Sequence, residues 1–402
     1  MFLDFFVQAE SPDIRPAEEY PNTCLGARIT RTGSRAELPD SPAWVLMGIT
    51  DFRELDPEAR PDPCLPHRGG SEAADRIRAA LYTLNGGEGF PPVTDLGNLI
   101  AGLSAKDTHA ALASVTAELL DAGHYPVWIG GTLEHLRGIF SGFSNQGPSD
   151  VSVVSSRTHF KTDPLSPDHE KVLRHLVEKD SAHLFNLSCL AGQGHWMEPG
   201  ESALLEQLRF EQLRLGVFRQ HPDWAEPLLR SSNLAAFSLG SVRWSDADGN
   251  PRGGPNGLWA HEFCQLAYYA GSNDALKAFF LTDYLPGVGA LGAEGLHSGA
   301  HTSALALWYL LDGIARRYED VPKANSRHYT RYTMALQGNH ELVFIKSQKS
   351  GRWWLEVALP QRKGSKKERT ALVPCTYDDY LKACADELPD RWWRIHQKYL
   401  TS

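Results

Sequence analysis

Short apolar runs alternate with longer amphipathic stretches through most of the chain. The run AWVLMGIT at residues 43–50 has almost no polar position, which is typical of a β-strand buried on both faces. The next stretch, SEAADRIRAALYTL at residues 71–84, places Ala74, Ile77 and Leu81 on one helical face, and Ser71 is the predicted N-cap. The same rhythm predicts further strands at residues 93–100, 125–131, 151–154, 183–188, 234–239 and 278–285, and helices at residues 168–179, 201–220, 258–270 and 301–318.

The clearest predicted helix is DTHAALASVTAELLDAG at residues 107–123. Leu112, Val115 and Leu119 share one face of it. Asp107 is expected to cap its start, and Gly123 is expected to end it, because glycine adopts the left-handed conformation that closes a helix.

The repeated strand–helix units predict an α/β fold, with a three-layer α/β/α arrangement around a mostly parallel sheet of about eight strands. In sheets of this kind, ligands bind beyond the carboxyl ends of the strands. The stretches that should carry the chemistry of the protein therefore lie at residues 130–135, 157–163, 238–243 and 283–286.

The pattern changes after about residue 335. HELVFIKS and RWWLEVAL are predicted to form a β-hairpin, because QKSG with Gly351 supplies a turn between them. Two helix-like stretches, TYDDYLKACADEL and PDRWWRIHQKYL, follow. We therefore predict an N-terminal extension at residues 1–42, the α/β domain at 43–335, and a C-terminal hairpin and helices at 336–402 that pack on it. The basic loop QRKGSKKER at 361–369 is interpreted as a solvated loop.

Composition narrows the class of protein. Of 402 residues, 42% are hydrophobic and 22% are charged, which is ordinary for a globular protein. The formal net charge of -9 argues against a nucleic-acid-binding protein, which needs a basic face. Six cysteines without a C-x-x-C pair favour reduced thiols over a disulfide scaffold. The N-terminus lacks a signal-peptide pattern and no apolar run has the length of a membrane span, so we expect a cytoplasmic protein without a membrane segment.

Several short motifs lack a residue that their chemistry requires. IGGTLEHLRG does not have the G-x-G-x-x-G spacing of a dinucleotide-binding loop. HEFCQ has Gln265 where the zinc motif H-E-x-x-H needs its second histidine. His297 and His301 in HSGAH are four residues apart, but no acid or cysteine is near them in sequence, so we interpret them as surface or cap histidines.

Taken in order, the strand ends resemble those of the ureohydrolase family, which includes arginase, agmatinase and formimidoylglutamase. The resemblance is carried by LLDAGHYPVWIGGTLEH, VSVVSSRTHFKTD, LAAFSLGSVR and FFLTDYLP, the last followed by HTSALALWYLLDG. The tail HELVFIKSQKSGRWWLEVALP resembles most closely the formimidoylglutamase branch found in Bacteroidetes-type bacteria. The likeness covers nearly the whole chain from about residue 43, and it implies an arginase-like fold and a homo-oligomer.

The resemblance also implies where an active member would hold two manganese ions. Its six ligands are a histidine after paired glycines, an Asp-Ala-His-x-Asp set, and two aspartates on a later strand. Here Gly130 and Gly131 are present, but Leu133 stands at the first histidine. Asp283 falls where active members have a glutamate that faces the guanidinium or formimino group. The remaining ligand positions are filled by Arg157, His159, Lys161, Ser238 and Gly240, so one ligand of six is kept.

The charges at these positions oppose metal binding. Two unit charges about 4 Å apart repel by roughly 4 kcal/mol at an effective dielectric near 20, so Arg157 and Lys161 would repel a dication strongly. We therefore expect no metal or other cofactor, and a catalytically inactive pseudoenzyme that binds a ligand or a partner protein. The alternative function is that of a manganese-dependent formimidoylglutamase, which hydrolyses C–N bonds in linear amidines.

Two further hypotheses about the function of the same residues remain open. A rearranged metal set would use Glu134, His135, His159 and Asp163. A metal-independent enzyme would use Arg157, His159 and Lys161 on an anionic substrate.

Two arrangements of the pocket are expected. Because a buried cation needs a partner, Arg157 or Lys161 is predicted to pair with Glu134 or Asp283. Alternate residues of an extended chain point the same way, so the side chains at 157, 159 and 161 are expected to converge. Such a cluster would suit a small anionic ligand, a carboxylate or a phosphate, unless internal acids neutralise it.

Overall fold

A ten-stranded sheet forms the centre of the computed structural model, which describes residues 2–9, 11–32, 38–53, 72–163, 165–179, 182–286, 297–323, 327–336, 340–359 and 369–401. Its strands are β1 (Phe6–Val7), β2 (Thr30–Arg31), β3 (Trp44–Ile49), β4 (Val93–Leu99), β5 (Tyr125–Gly130), β6 (Ser149–Val154), β7 (Leu184–Gly192), β8 (Glu211–Arg214), β9 (Leu234–Ser238) and β10 (Ala278–Thr282).

The strand order explains the predicted architecture. The order is β1-β4-β3-β5-β10-β9-β6-β7-β8, with β2 beside β4. Neighbouring strands are parallel except for β1 and β4, and β1 and β2 have only two residues each. Eight longer strands therefore remain, and the prediction of a mostly parallel sheet of about eight strands is confirmed.

Helices cover both faces of this sheet, which is why its central strands are almost continuously apolar. One hydrophobic core contains Ile77, Phe263 and Leu307, and the other contains Leu112 and Leu173 on the opposite face. The helices in chain order are α1 (Leu25–Arg28), α2 (Ala73–Thr83), α3 (Ala105–Asp121), α4 (Leu136–Ser141), α5 (Val172–Lys179), α6 (Pro199–Gln207), α7 (Leu215–Gln220), α8 (Ala225–Arg230), α9 (Ala260–Gly271) and α10 (Ser298–Ala315).

A second, antiparallel sheet follows the α/β part. Its strands are β11 (Tyr329–Leu336), β12 (His340–Ser347), β13 (Trp353–Leu359) and β14 (Arg369–Cys375), and α11 (Tyr377–Cys384) and α12 (Asp390–Thr401) follow it. The predicted hairpin is β12 and β13, and Gly351 has a φ of +74° in its turn. Arg391 of α12 lies 3.5 Å from Glu211 of β8, and Arg230 donates to the Trp353 carbonyl at 2.9 Å. The proposed boundaries at residues 42 and 335 stay a prediction.

Some elements differ from the prediction. The helix expected at residues 201–220 is instead α6, β8 and α7, because pairing with β7 makes Glu211–Arg214 an edge strand. Ser104, rather than Asp107, caps α3, and Asp107 completes a capping box by accepting from the Ser104 amide. Ser71 and residues 361–368 of the basic loop lie outside the described part of the chain.

The histidines and cysteines discussed from the sequence have the following positions. His297 occupies the N-cap position of α10, and His301 is exposed. The five cysteines in the described ranges carry free thiols, and four of them are buried. Among the described helices, none combines the length and the apolarity that a bilayer crossing requires.

Candidate functional site

The carboxyl ends of β5, β9 and β10 lie side by side, because β10 pairs with both other strands. Leu281 is level with Ile129 on one side and with Phe237 on the other. The residues after these three strands therefore meet at one edge of the sheet, as expected from the strand order. This edge brings together three of the four predicted stretches, and the fourth, after β6, approaches it from beyond β9 through the hydrogen bond of Ser156 to Gly240.

The paired glycines form a tight turn at the end of β5. Gly130 and Gly131 have φ angles of +84° and +62°, in the region that favours glycine. A Cβ atom on Gly130 would lie 2.7 Å from the Ile49 carbonyl oxygen, so a side chain cannot be accommodated there. The turn aims the backbone amide of Leu133 into the site, and the Leu133 side chain itself is fully buried.

Asp283 is the centre of the site. It follows β10 with a φ of +67°, and it is fully buried. Its Oδ1 accepts from the Leu133 amide at 3.2 Å, and its Oδ2 accepts from the Ser238 hydroxyl at 2.6 Å. Its own amide donates to the Gly131 carbonyl at 3.1 Å. One carboxylate thus joins the ends of the three strands.

Gly240 allows the chain to pass close to Ser238 and Arg252. Its amide donates to the Ser238 hydroxyl at 3.1 Å, and its carbonyl accepts from Ser156 at 3.0 Å. A Cβ atom on Gly240 would lie 2.8 Å from the Ser238 Oγ and 3.2 Å from the Arg252 Cβ. The position therefore has no room for an aspartate without movement of Ser238.

A cation that the sequence did not indicate lies beside Asp283. The Arg252 Nη1 is 3.8 Å from the Asp283 Oδ1, and the arginine is 9% exposed. Its Nη1 and Nη2 atoms make no hydrogen bond to the described residues. Arg252 lies in an irregular loop with no periodicity, so the fold alone reveals its place. The predicted pairing of Asp283 or Glu134 with Arg157 or Lys161 is wrong.

Besides burial, the positive charge of Arg252 also lowers the pKa of two histidines of the site. Burial lowers the pKa of His159 to about 3, and the positive charge of Arg252 is the next cause. Burial and Arg252 likewise lower the pKa of His169. Both imidazoles are therefore neutral at physiological pH, and the positive charge of this edge is held by the guanidinium.

His159, the one ligand position that the resemblance leaves in place, makes two hydrogen bonds inside the protein. Its Nε2 lies 3.0 Å from the Ser155 Oγ, and its Nδ1 lies 3.0 Å from the His169 carbonyl oxygen. A metal would have to displace one of these partners. His159 has a φ of +49°, which interrupts the extended chain in which residues 157, 159 and 161 were expected to point the same way.

The three side chains consequently diverge, contrary to the prediction. The Arg157 guanidinium stacks over the Trp196 ring at 3.9 Å, and burial lowers its pKa. The Lys161 ammonium forms an ion pair with Glu198, a hydrogen bond that raises the pKa of the lysine. Residues 157–161 thus form no convergent anion cradle, because each cation already has its own partner.

Glu134 and His135 are both buried beside the glycine turn. Glu134 pairs with Arg137 at 3.1 Å. The His135 Nδ1 lies 3.1 Å from the Thr132 amide, at the start of the turn that leads into α4. Asp163 is exposed and accepts from the Leu165 amide, so it does not join His159 in the rearranged metal set. In the described ranges, no three His, Cys, Asp or Glu side chains are grouped so as to hold a metal ion.

The side chains at the ligand positions that the resemblance implies do not fit two manganese ions. Hard dications require oxygen or imidazole ligands with free lone pairs. The positions hold the apolar Leu133, the paired cations Arg157 and Lys161, and a Ser238 hydroxyl that already binds Asp283.

No family model matches the chain, and no curated protein matches its sequence at a significant level. Solved structures do match. A formiminoglutamase from Trypanosoma cruzi, solved with Mn²⁺, has 19% identity and a TM-score of 0.59, over 70% of this chain and 97% of the other. The formimidoylglutamase from Bacillus subtilis has 14% identity and a TM-score of 0.60, over 77% and 94%. The arginase from Bacillus subtilis has 14% identity and a TM-score of 0.54, over 67% and 98%.

Proposed function

The chain has an arginase-like fold, and we propose that it is a ureohydrolase-fold protein without dimanganese chemistry. Identities of 14–19% support the architecture and leave the activity to be argued from the site itself. The resemblance to the ureohydrolases is thus confirmed at the level of the fold. The closer likeness to the Bacteroidetes-type branch stays a prediction.

The observation that carries the proposal is the ion pair of Asp283 and Arg252. In this fold the carboxyl ends of the strands need a positive charge to balance the buried acid, because an unpaired buried carboxylate costs several kcal/mol. Arg252 lies 3.8 Å from that acid and is a permanent cation. We infer that the guanidinium takes the electrostatic place of the metals, the role that the sequence assigned to Arg157 or Lys161.

We further infer that the protein acts as a non-catalytic binding scaffold. The earlier expectation of an anion at Arg157, His159 and Lys161 loses its support, since these side chains have Trp196, Ser155 and Glu198 as partners. A protein partner, with the chain itself as a homo-oligomer, is the remaining proposal. A cytoplasmic location is proposed from the free thiols alone.

The second candidate function is that of a manganese-dependent formimidoylglutamase. It is favoured by the fold of the Trypanosoma cruzi and Bacillus subtilis proteins, the first of which was solved with Mn²⁺. It requires ligands from outside the positions that the resemblance implies, because those positions do not fit.

Metal content and hydrolysis together distinguish the two candidates. The protein is loaded with manganese, desalted and measured by elemental analysis, and we expect far less than one ion per chain. Hydrolysis of formimidoyl-glutamate, arginine and agmatine should equal the blank. One to two ions per chain, or turnover of any of the three compounds that a chelator abolishes, would show that the proposal is wrong. An active arginase measured alongside serves as the positive control for loading and assay.

A further inference from the structure

A cavity lies at the opposite edge of the sheet, between the amino ends of the strands and the C-terminal sheet. Asp150 and Asn186 belong to the first residues of β6 and β7, and Asp274 precedes β10. Val373 of β14 and Tyr399 of α12 close it from the other side. Its volume is about 220 Å³. This space holds several water molecules or one small organic molecule, since a water occupies about 30 Å³ in the liquid.

The arginines of this cavity are already compensated by acids outside its lining. Arg230 lies 2.8 Å from Glu226, and its guanidinium stacks over the Trp354 ring at 4.4 Å. Arg391 lies 3.5 Å from Glu211. The positive charges that face the cavity therefore contribute little net charge to it.

The acids of the cavity are less well satisfied. The Asp274 Oδ1 and the Asp320 Oδ1 are buried without a hydrogen bond from a described residue, and Asp320 is only 1% exposed. The other Asp320 oxygen accepts from the Ser350 hydroxyl, and Arg352 lies 3.6 Å from the Asp320 Oδ1. Asp150 is half-buried in the same lining, and its backbone makes two hydrogen bonds to Asn233. The Asp274 and Asp320 carboxylates thus each have an oxygen that lacks a hydrogen-bond donor within the described ranges, and Arg317 and Arg352 are the cations that act on them.

A buried donor in the same lining is also without an acceptor. The Arg230 Nη1 makes no hydrogen bond to the described residues, although Arg230 is only 7% exposed and its Nη2 donates to the Trp353 carbonyl. Buried polar atoms in folded proteins are nearly always hydrogen-bonded, to protein, to water or to a ligand. A molecule that presents several N–H donors, one oxygen acceptor and a positive charge would satisfy both sets.

We propose that this cavity binds a small organic ammonium compound that also carries a hydroxyl oxygen. The ammonium group would donate hydrogen bonds to the Asp150, Asp274 and Asp320 carboxylates. The hydroxyl oxygen would accept a hydrogen bond from the Arg230 guanidinium. The exposed residues Ala275 and Val321 lie on the rim and leave a way in from solvent. The site lies at the far edge of the sheet from Asp283 and does not depend on the proposed function.

The electrostatics of Asp150 support this assignment. Burial raises the pKa of Asp150 to about 7, and Glu211 raises it further, while Lys398 and Arg391 lower it. A bound cation stabilises the ionised carboxylate, so binding should be stronger at pH 8 than at pH 6. Lys398, which donates to the Asn186 side chain, is a resident cation beside Asp150, so a bound ammonium would share this carboxylate with it.

The test uses ethanolammonium as the probe, with ethylene glycol and acetate as the neutral and anionic comparisons. Calorimetry and melting curves on the full chain should show binding of ethanolammonium alone. Asp150→Asn and Asp274→Asn should each weaken that binding about tenfold or more, the loss of one charge-assisted hydrogen bond. Asp40→Asn, at an exposed acid that is not part of the lining, is the matched control and should bind like the parent protein.

Three outcomes would overturn the proposal: no binding of ethanolammonium to the parent protein, equal binding by both cavity variants, or preferential binding of acetate. Because the Asp150→Asn and Asp274→Asn changes remove a carboxylate charge rather than volume, each variant should keep the melting temperature of the unliganded protein or raise it. Cooperative melting of both variants shows that they are folded, so a loss of binding can be assigned to the missing charge.

Discussion

At the residue scale, Asp283 and Arg252 are the pair on which the strand-end site depends. Truncating one member of a buried pair leaves the other charge without compensation, which costs about 3–5 kcal/mol. Arg252→Met and Asp283→Asn should each lower the free energy of unfolding by an amount in this range. The double variant should lose clearly less than the sum, because the two side chains interact directly.

Urea unfolding of the two single variants and the double variant measures this coupling. Asp163→Asn, which removes an exposed carboxylate on a neighbouring loop, is the control and should change stability by less than about 1 kcal/mol. Strictly additive losses would mean that Arg252 does not neutralise Asp283.

The residues of the strand-end site show which parts of a functional site can be predicted from the sequence. Gly130, Ser238 and Asp283 were located correctly, because each directly follows an apolar run that has to be a buried strand. Arg252 and Trp196 were missed, because they come from loops that reach the site only through the fold. The positive φ of His159 was also missed, and it interrupts the alternation that would have brought the side chains at 157, 159 and 161 together.

At the element scale, α3 is held at its start by the reciprocal hydrogen bonds of Ser104 and Asp107. The Ser104 hydroxyl accepts from the Asp107 amide, and the Asp107 carboxylate accepts from the Ser104 amide at 2.8 Å. Ser104→Ala should therefore cost about 1 kcal/mol, the usual value for loss of an N-cap.

Thermal unfolding of this variant should be compared with that of Lys106→Ala, an exposed change in the same turn that leaves both hydrogen bonds intact. Equal melting temperatures for the two variants would show that the capping box contributes nothing.

Strands that are buried at every position were predictable from the sequence. Strands that form because a neighbouring strand pairs with them were not. The central strands β3, β9 and β10 are buried at every position, so their apolar runs identify them directly. The strands β8, β11 and β14 carry polar or exposed residues and exist because a neighbouring strand offers backbone hydrogen bonds. Their sequences give little sign of that neighbour.

At the scale of the whole molecule, buried histidines should make the protein sensitive to mild acid. Burial lowers the pKa of His109 to about 4 and that of His159 to about 3, and it also lowers the pKa of His135 and His169. Below about pH 6.5 the unfolded chain binds protons at these positions and the folded chain does not. The contribution of these neutral histidines to the free energy of unfolding is therefore complete above pH 6.5, and it declines as the pH falls towards 4.

We expect the free energy of unfolding to fall by ~2 kcal/mol or more between pH 7.5 and pH 5.5, since each such group contributes up to about 1.4 kcal/mol per pH unit. Asp150, whose raised pKa has the opposite effect, offsets part of the loss. His159→Asn should reduce the pH dependence, while His261→Asn, at an exposed position, should leave it unchanged. A stability that is constant over this range would contradict the assignment.

The guanidinium beside Asp283 has a consequence for how the protein matures in a cell. An ion has to be taken up, delivered and inserted, and its occupancy follows the supply in the growth medium. Arg252 is translated with the chain and reaches Asp283 by folding alone. The charge that balances Asp283 is thus encoded in the amino-acid sequence. A shortage of a trace element in the growth medium would not change it.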